Sequence, residues 1–337
     1  MKKKAKRYII TLIKFAVSIG ILTYLFNSAI KTEQFDLLFE NPIQWSWIGV
    51  AFVTCLLAHV IGFFRWRMLV RALDLPFSNI DAVRIGFIGL FFNLIAFGVI
   101  GGDTLRAFYV TRKIKNRVPE AIASVVADRV IGLLTMCLIA SIAFLLLDTS
   151  SLASDHPQEL AIIEYICQFV VLLTAIGMCG LVVVFFSPKL VNTHRYRSLM
   201  SLPRIGDVIA RLTSVVTIYR GLPVTVSLAF VMSVGVNVCF AITIYSLAVG
   251  LTPAAPSFAN HFVIEPIAMV SNAVPLPGGI GGMEFAMSYL YLAFSFETGV
   301  IVGFAFRFSL LAVSAIGAVF WFTNRSKVSH LIETETD

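Results

Sequence analysis

The sequence predicts an all-α polytopic membrane bundle of about six full spans plus two re-entrant hairpins, arranged as an inverted repeat, and three observations carry that reading. The chain of 337 residues is 58% apolar and only 13% charged, with a mean hydropathy of +0.89, a balance that water-soluble domains do not show. Apolar runs of roughly 20 residues recur along its whole length, and a bilayer core about 30 Å thick needs about that many to be crossed by a helix. Two further apolar runs are cut by glycine before they are long enough to cross.

In chain order, a cluster of cations in 1–7 precedes the apolar run 8–26. That run is longer than the core of a signal peptide and lacks a convincing small-x-small cleavage site, Asn27-Ser28-Ala29 being a weak candidate, so a retained first span is expected. Lys14, in mid-run, is expected to snorkel or to face protein. The second span, 45–64, opens on two interfacial Trp and ends at Arg65-Trp66-Arg67, an aromatic belt followed by cytoplasmic charge. Residues 85–100 are apolar again but are cut at Gly101-Gly102-Asp103, with the basic run Arg112 to Arg117 close behind. A hairpin that enters and leaves on the cytoplasmic side accounts for that order.

The third and fourth spans are 121–147 and 160–186, joined by an acidic outer loop. Within 203–220, Ile205, Val208, Ile209, Leu212, Val215 and Val216 recur at helical spacing against Arg204, Asp207 and Arg211, which predicts an amphipathic helix lying in the interface. The fifth span is 224–247. The run 261–274 is halted by Pro275-Leu276-Pro277-Gly278-Gly279-Ile280-Gly281-Gly282 and returns over 285–296, a second hairpin entering from outside; the last span is 300–322. Together these make one integral-membrane domain, 1–325, with a polar tail, 326–337.

Of the 26 Lys and Arg, this topology leaves Lys31 alone outside and Lys14, Arg106, Arg129 and Arg307 at membrane depth; all others, Arg65 included, fall on the cytoplasmic side. The positive-inside rule then puts both termini in the cytoplasm and the chain in the cell inner (plasma) membrane. The same distribution explains the net charge of +7 without nucleic acid. The five Cys stand singly in apolar segments, with no spacing for a disulfide or a metal, and no cofactor motif is present.

A shift of 180 residues places Gly101-Gly102 on Gly281-Gly282 and Tyr109 on Tyr289; a shift of 178 places Arg129 on Arg307. Halves at about 45–150 and 223–325 thus share an order, a broken hairpin followed by a span bearing a buried Arg. Broken helices at corresponding positions in two halves point to a transport site. The competing reading is two unrelated kinks filled by packing.

Backbone can leave the helix inside a bilayer only where protein or a water-filled cavity satisfies it. The half-helix after each glycine break aims its positive end at the break, a place that favours an anionic group such as phosphate. Ionisable side chains at membrane depth are costly unless paired or hydrated; here they are Asp103, Arg106, Asp128, Arg129, Glu265, Glu284 and Arg307. Asp103 and Arg106 share a helix face and are expected to pair. Asp128 and Arg129 point to different sides and need partners on other segments, with Glu284 and Arg307 the natural candidates. Arg129 and Arg307 are the expected anion contacts, because guanidinium binds phosphate bidentately, and Glu284 or Asp103 is the candidate for a coupled proton. Asn93 and Asn272 precede the two breaks and are expected to bond loose backbone or ligand. His59 and His261 read as satisfied polar residues. The alternative for the charged pairs is that they only staple helices together.

Arg65-Trp66, Phe92-Asn93, Gly101-Gly102-Asp103 with Arg106, Asp128-Arg129, and Pro275-Leu276-Pro277-Gly278-Gly279-Ile280-Gly281 with Glu284 and Arg307 resemble the lysylphosphatidylglycerol synthase transmembrane-region family of flippase-like proteins. The likeness covers about residues 8–325. It implies a lipid-handling membrane domain, since members include the membrane half of proteins that move aminoacylated phosphatidylglycerol between leaflets. Two departures stand out: many members have Pro-Gly where this chain has Val99-Ile100, and Glu where it has Asp128. The aminoacyl-transferase domain of the bifunctional relatives is not expected, because only a short polar tail follows the last span. The expected function is therefore a flippase-like lipid transporter, not an enzyme, acting on membrane lipids with an anionic head group, as a homo-oligomer or beside a partner membrane enzyme. The rival is a membrane enzyme or an accessory subunit in lipid or glycolipid modification.

Overall fold

A computed structural model describes residues 2–95, 100–113, 118–147, 157–186, 213–272 and 280–323, and every regular element among them is a helix. These are α1 (Lys2–Lys31), α2 (Gln34–Glu40), α3 (Trp45–Arg71), α4 (Asn79–Ile95), α5 (Ile100–Lys113), α6 (Val118–Leu146) and α7 (Pro157–Phe186). After α8 (213–219) come α9 (Pro223–Leu251), α10 (His261–Ser271), α11 (Gly282–Ala293) and α12 (Gly299–Thr323). Five of them, α3, α6, α9, α12 and the Leu160–Val182 part of α7, are long and apolar enough to cross a bilayer. The chain is a multi-pass membrane protein. The expected first span is a single unbroken helix, α1, whose described apolar part is Ala16–Lys31.

The helix of the expected second span, 45–64, does not stop at Phe64: α3 runs on to Arg71. No Gly or Pro stands between Phe64 and Arg71, and Arg, Met and Leu are good helix formers. Arg65 and Trp66 are consequently buried inside the bundle rather than free interfacial side chains.

The first glycine break is also displaced. Gly101, Gly102 and Asp103 are helical, in the first turn of α5, and residues 96–99 between α4 and α5 lie outside the described residues. Packing explains the glycine: a Cβ on Gly102 would overlap the carbonyl oxygen of Gly89 on α4. Without one, the two hairpin helices close on each other backbone to backbone, as small residues allow in membranes. At the second hairpin, Pro277, Gly278 and Gly279 lie outside the described residues. Gly281 does serve the turn, with φ +103 just before α11, a conformation that costs a side-chain-bearing residue energy.

The bundle is built on α3 and α9, which run antiparallel along their length. The Gln44 N–H donates to the Gly250 carbonyl (3.0 Å), the Thr54 and Thr243 hydroxyls meet at 2.9 Å, and Arg65 Nη1 donates to Ser233 Oγ (2.6 Å). Buried Ala51, Ala58, Ala241 and Ala248 let these helices approach. Around this seam α4 packs on α12 and α10 on α6, while α5 packs on α6 and α11 on α12. Exchanging α3–α6 for α9–α12 maps this arrangement onto itself.

The periphery suits lipid: α7 exposes Phe169, Leu172 and Ile176. Of the expected interfacial helix 203–220, residues 213–219 are helical and 203–212 lie outside the described residues. The Tyr219 hydroxyl donates to the Leu69 carbonyl (3.0 Å) and ties α8 to the end of α3.

Candidate functional site

The first N–H groups of a helix have no partner within it, and each hairpin solves this with a side chain. In the first, Asn93 Oδ1 at the end of α4 accepts from the Gly102 N–H (2.7 Å). In the second, Glu284 in the first turn of α11 reaches back to accept from the Gly281 N–H through Oε2 (2.9 Å), one arm of a capping box. Asp103 and Glu284 both sit in a first turn, where the helix dipole favours negative charge. The positive ends expected to attract an anionic ligand are therefore already met by the chain's own carboxylates.

Each carboxylate then holds an arginine from the next long helix. Asp103 Oδ1 accepts from Arg129 Nη2 on α6 and lies 3.8 Å from Arg106, the expected local pair. Glu284 takes Arg307 of α12 in a fork, Nε to Oε1 at 2.6 Å and Nη2 to Oε2 at 3.2 Å, and Asn272 Oδ1 accepts from Arg307 Nη1 (2.9 Å). The expected cross-pairing of Asp128 and Arg129 with Glu284 and Arg307 is not what forms. In both halves a short helix packs on the long helix that follows it, so its first-turn acid meets that helix's arginine within the same half. Asp128 instead pairs with Arg65, whose Nε donates to Oδ1 at 2.8 Å.

These residues converge on a cavity of about 230 Å³. Its walls carry the guanidinium groups of Arg65, Arg106, Arg129 and Arg307, the amides of Asn93 and Asn272, and His59, with Asp128 as the one carboxylate among the described lining residues. Leu90, Phe63, Phe240 and Met269 supply apolar wall. Arg106 is 7% exposed, its Nε has no hydrogen-bond partner among the described residues, and its guanidinium carbon lies 5.5 Å from the Trp66 ring centroid and 5.7 Å from that of Phe63. Two aromatic faces thus hold an unspent donor in place. The Arg129 side chain is 42% exposed and stands at the mouth; that of Arg307 is 10% exposed. Gly101 and Gly102 form the first turn of α5, which carries Asp103 and Arg106.

Both histidines are satisfied as expected, His59 Nδ1 on the Cys55 carbonyl (2.8 Å) and His261 on Ser257 and Tyr291. The residue missed as part of the site is Arg65. A signal existed: it stands in a run with no helix breaker, so the α3 helix carries it six residues inside its own end.

Fold and cavity together define a polytopic helical membrane protein with an arginine-lined chamber walled by both of its halves. The chain belongs to the lysylphosphatidylglycerol synthase TM region family, whose profile matches residues 11–319. That membership ties it to a membrane, lipid-related role. No curated protein and no solved structure matches it.

Proposed function

We propose that this protein is a flippase-like transporter that moves an anionic or modified phospholipid, or a lipid-linked head group, between leaflets. The supporting observation is the cavity itself, where four arginines share the three carboxylates Asp103, Asp128 and Glu284 and Arg106 keeps an unspent Nε donor. A buried guanidinium donor of that kind favours phosphate, and intramembrane charge facing a cavity marks a substrate path by default. The antiparallel α3 and α9 and the exchangeable packing of the two halves support an inverted repeat, the architecture in which two halves rock about a fixed site. Acyl tails stay in lipid while the head group passes. The excess of Lys and Arg assigned to one side supports a plasma-membrane protein with cytoplasmic termini, working as a homo-oligomer or beside a membrane enzyme.

The test uses purified protein in phosphatidylcholine vesicles containing head-group-labelled phosphatidylglycerol. Transfer without chemical change is expected, and Arg106→Gln or Arg129→Gln should slow it about 10- to 100-fold, the worth of one or two charge-assisted hydrogen bonds, with thermal unfolding little altered. Arg307 is a poorer probe, because its loss strands Glu284. A chemically altered lipid marks an enzyme instead, and activity only after a second protein is added marks an accessory subunit.

A further inference from the structure

Glu265 on α10 is not among the cavity-lining residues and has none of the support given to the other buried acids. It is 1% exposed, and its Oε2 has no hydrogen-bond partner among the described residues. Asp103, Asp128 and Glu284 each hold an arginine; no Lys or Arg among the described residues pairs with Glu265. Helices α6, α9 and α11 pack on α10. The titratable groups they carry are Glu120, Asp128, Arg129 and Cys137 on α6, Cys239 and Tyr245 on α9, and Glu284, Tyr289 and Tyr291 on α11. None of these forms a hydrogen bond or ion pair with Glu265. An ionised carboxylate in such a place costs several kcal/mol, and a proton removes that cost.

Its position gives the proton somewhere to go. His261, Glu265, Met269 and Asn272 recur at helical spacing and form one stripe along α10. At one end of the stripe Met269 and Asn272 line the arginine cavity. At the other, His261 Nδ1–H donates to the Ser257 carbonyl (2.9 Å), which fixes the tautomer and leaves Nε2 to accept from the Tyr291 hydroxyl (3.1 Å). Glu265 stands one turn from each. Pro266, next in sequence, lies inside the helix and denies the Phe262 carbonyl its usual donor, so the backbone at this turn is also short of a hydrogen bond.

We propose that Glu265 is a proton-carrying site between the His261 end of α10 and the arginine cavity, and that it couples lipid transfer to proton movement. The site takes up a proton from one side as a carboxylic acid and releases it toward the other, with no covalent change. A proton fits better than a metal ion, because no group of three His, Cys, Asp or Glu able to hold one occurs among the described residues. This rests on the transport reading above.

The full chain in phosphatidylcholine vesicles with head-group-labelled phosphatidylglycerol provides the test, under imposed pH gradients of either sign. Wild-type transfer should differ roughly fivefold between the two signs, a modest share of the drive that one coupled proton supplies, and for Glu265→Gln the two rates should agree within about twofold. Transfer by the wild type that ignores the gradient, or that follows a sodium gradient instead, overturns the coupling and leaves the transport reading standing; no transfer under any condition sinks both. A second measurement needs no variant: dicyclohexylcarbodiimide attacks protonated carboxyl groups in apolar surroundings. Peptide mapping of the wild type should find Glu265 labelled at low pH and less labelled at high pH. An unlabelled Glu265 at the lower pH overturns the proposal.

Discussion

In the first half of the molecule Asn93, Asp103 and Arg129 gather at the start of α5; in the second, Asn272, Glu284 and Arg307 gather at the start of α11. The residue types match and the settings differ. Side chains of Glu284 and Arg307 are 0% and 10% exposed and interlock through two hydrogen bonds, whereas those of Asp103 and Arg129 are 21% and 42% exposed and share one. Asn272 is spent on the arginine, while Asn93 is spent on the backbone. One constellation is thus closed around itself, and the other presents its arginine at the cavity mouth. A second contrast lies behind the first: Arg65 and Asp128 pair in one half, and the residues 178 positions on are Thr243 and Phe306. There the polar link shrinks to a hydroxyl contact between Thr54 and Thr243 and an edge-on meeting of Phe240 and Phe306.

The largest effect should separate the two acid–arginine pairs. Arg307→Ala leaves Glu284 buried and unpaired and should cost about 3–5 kcal/mol, whereas Arg129→Ala, at an exposed pair, should cost about 1 kcal/mol or less; unfolding in detergent measures both. Equal losses would mean that the halves do not differ as described. Next, Arg65→Thr should destabilise by about 3 kcal/mol by isolating Asp128, and adding Asp128→Leu should recover most of it, since a buried pair replaced by apolar groups is close to neutral. That double variant makes the first half resemble the second, so a failure to recover would show that Arg65 is needed for more than Asp128. Smallest, Asn93→Leu should cost about 1 kcal/mol through the unpaired Gly102 N–H, visible as faster amide exchange at the start of α5.

Much of this architecture was legible as periodicity and interruption. The apolar runs gave five of the expected spans as long helices, and Gly281 performs the turn its conformational freedom suggested. What escaped depends on contacts across the fold. Arg65 looked interfacial because a cation closing an apolar run usually is; only Asp128, 63 residues away, makes its burial tolerable. Gly101-Gly102 looked like a turn because packing glycines and turning glycines read alike in one dimension, and the close passage of Gly89 decides between them. The pairing of acids with arginines followed from which helix packs on which.

The central claim is one wet, anion-favouring chamber reached from both halves, and thiol accessibility tests it directly. Single cysteines replacing Leu90 on α4 and Met269 on α10, both cavity-lining, in a background with the native cysteines changed to serine, should react with a small anionic sulfonate thiol reagent several-fold faster than with its cationic analogue. Cysteines inert to both reagents, or reacting faster with the cation, would contradict it.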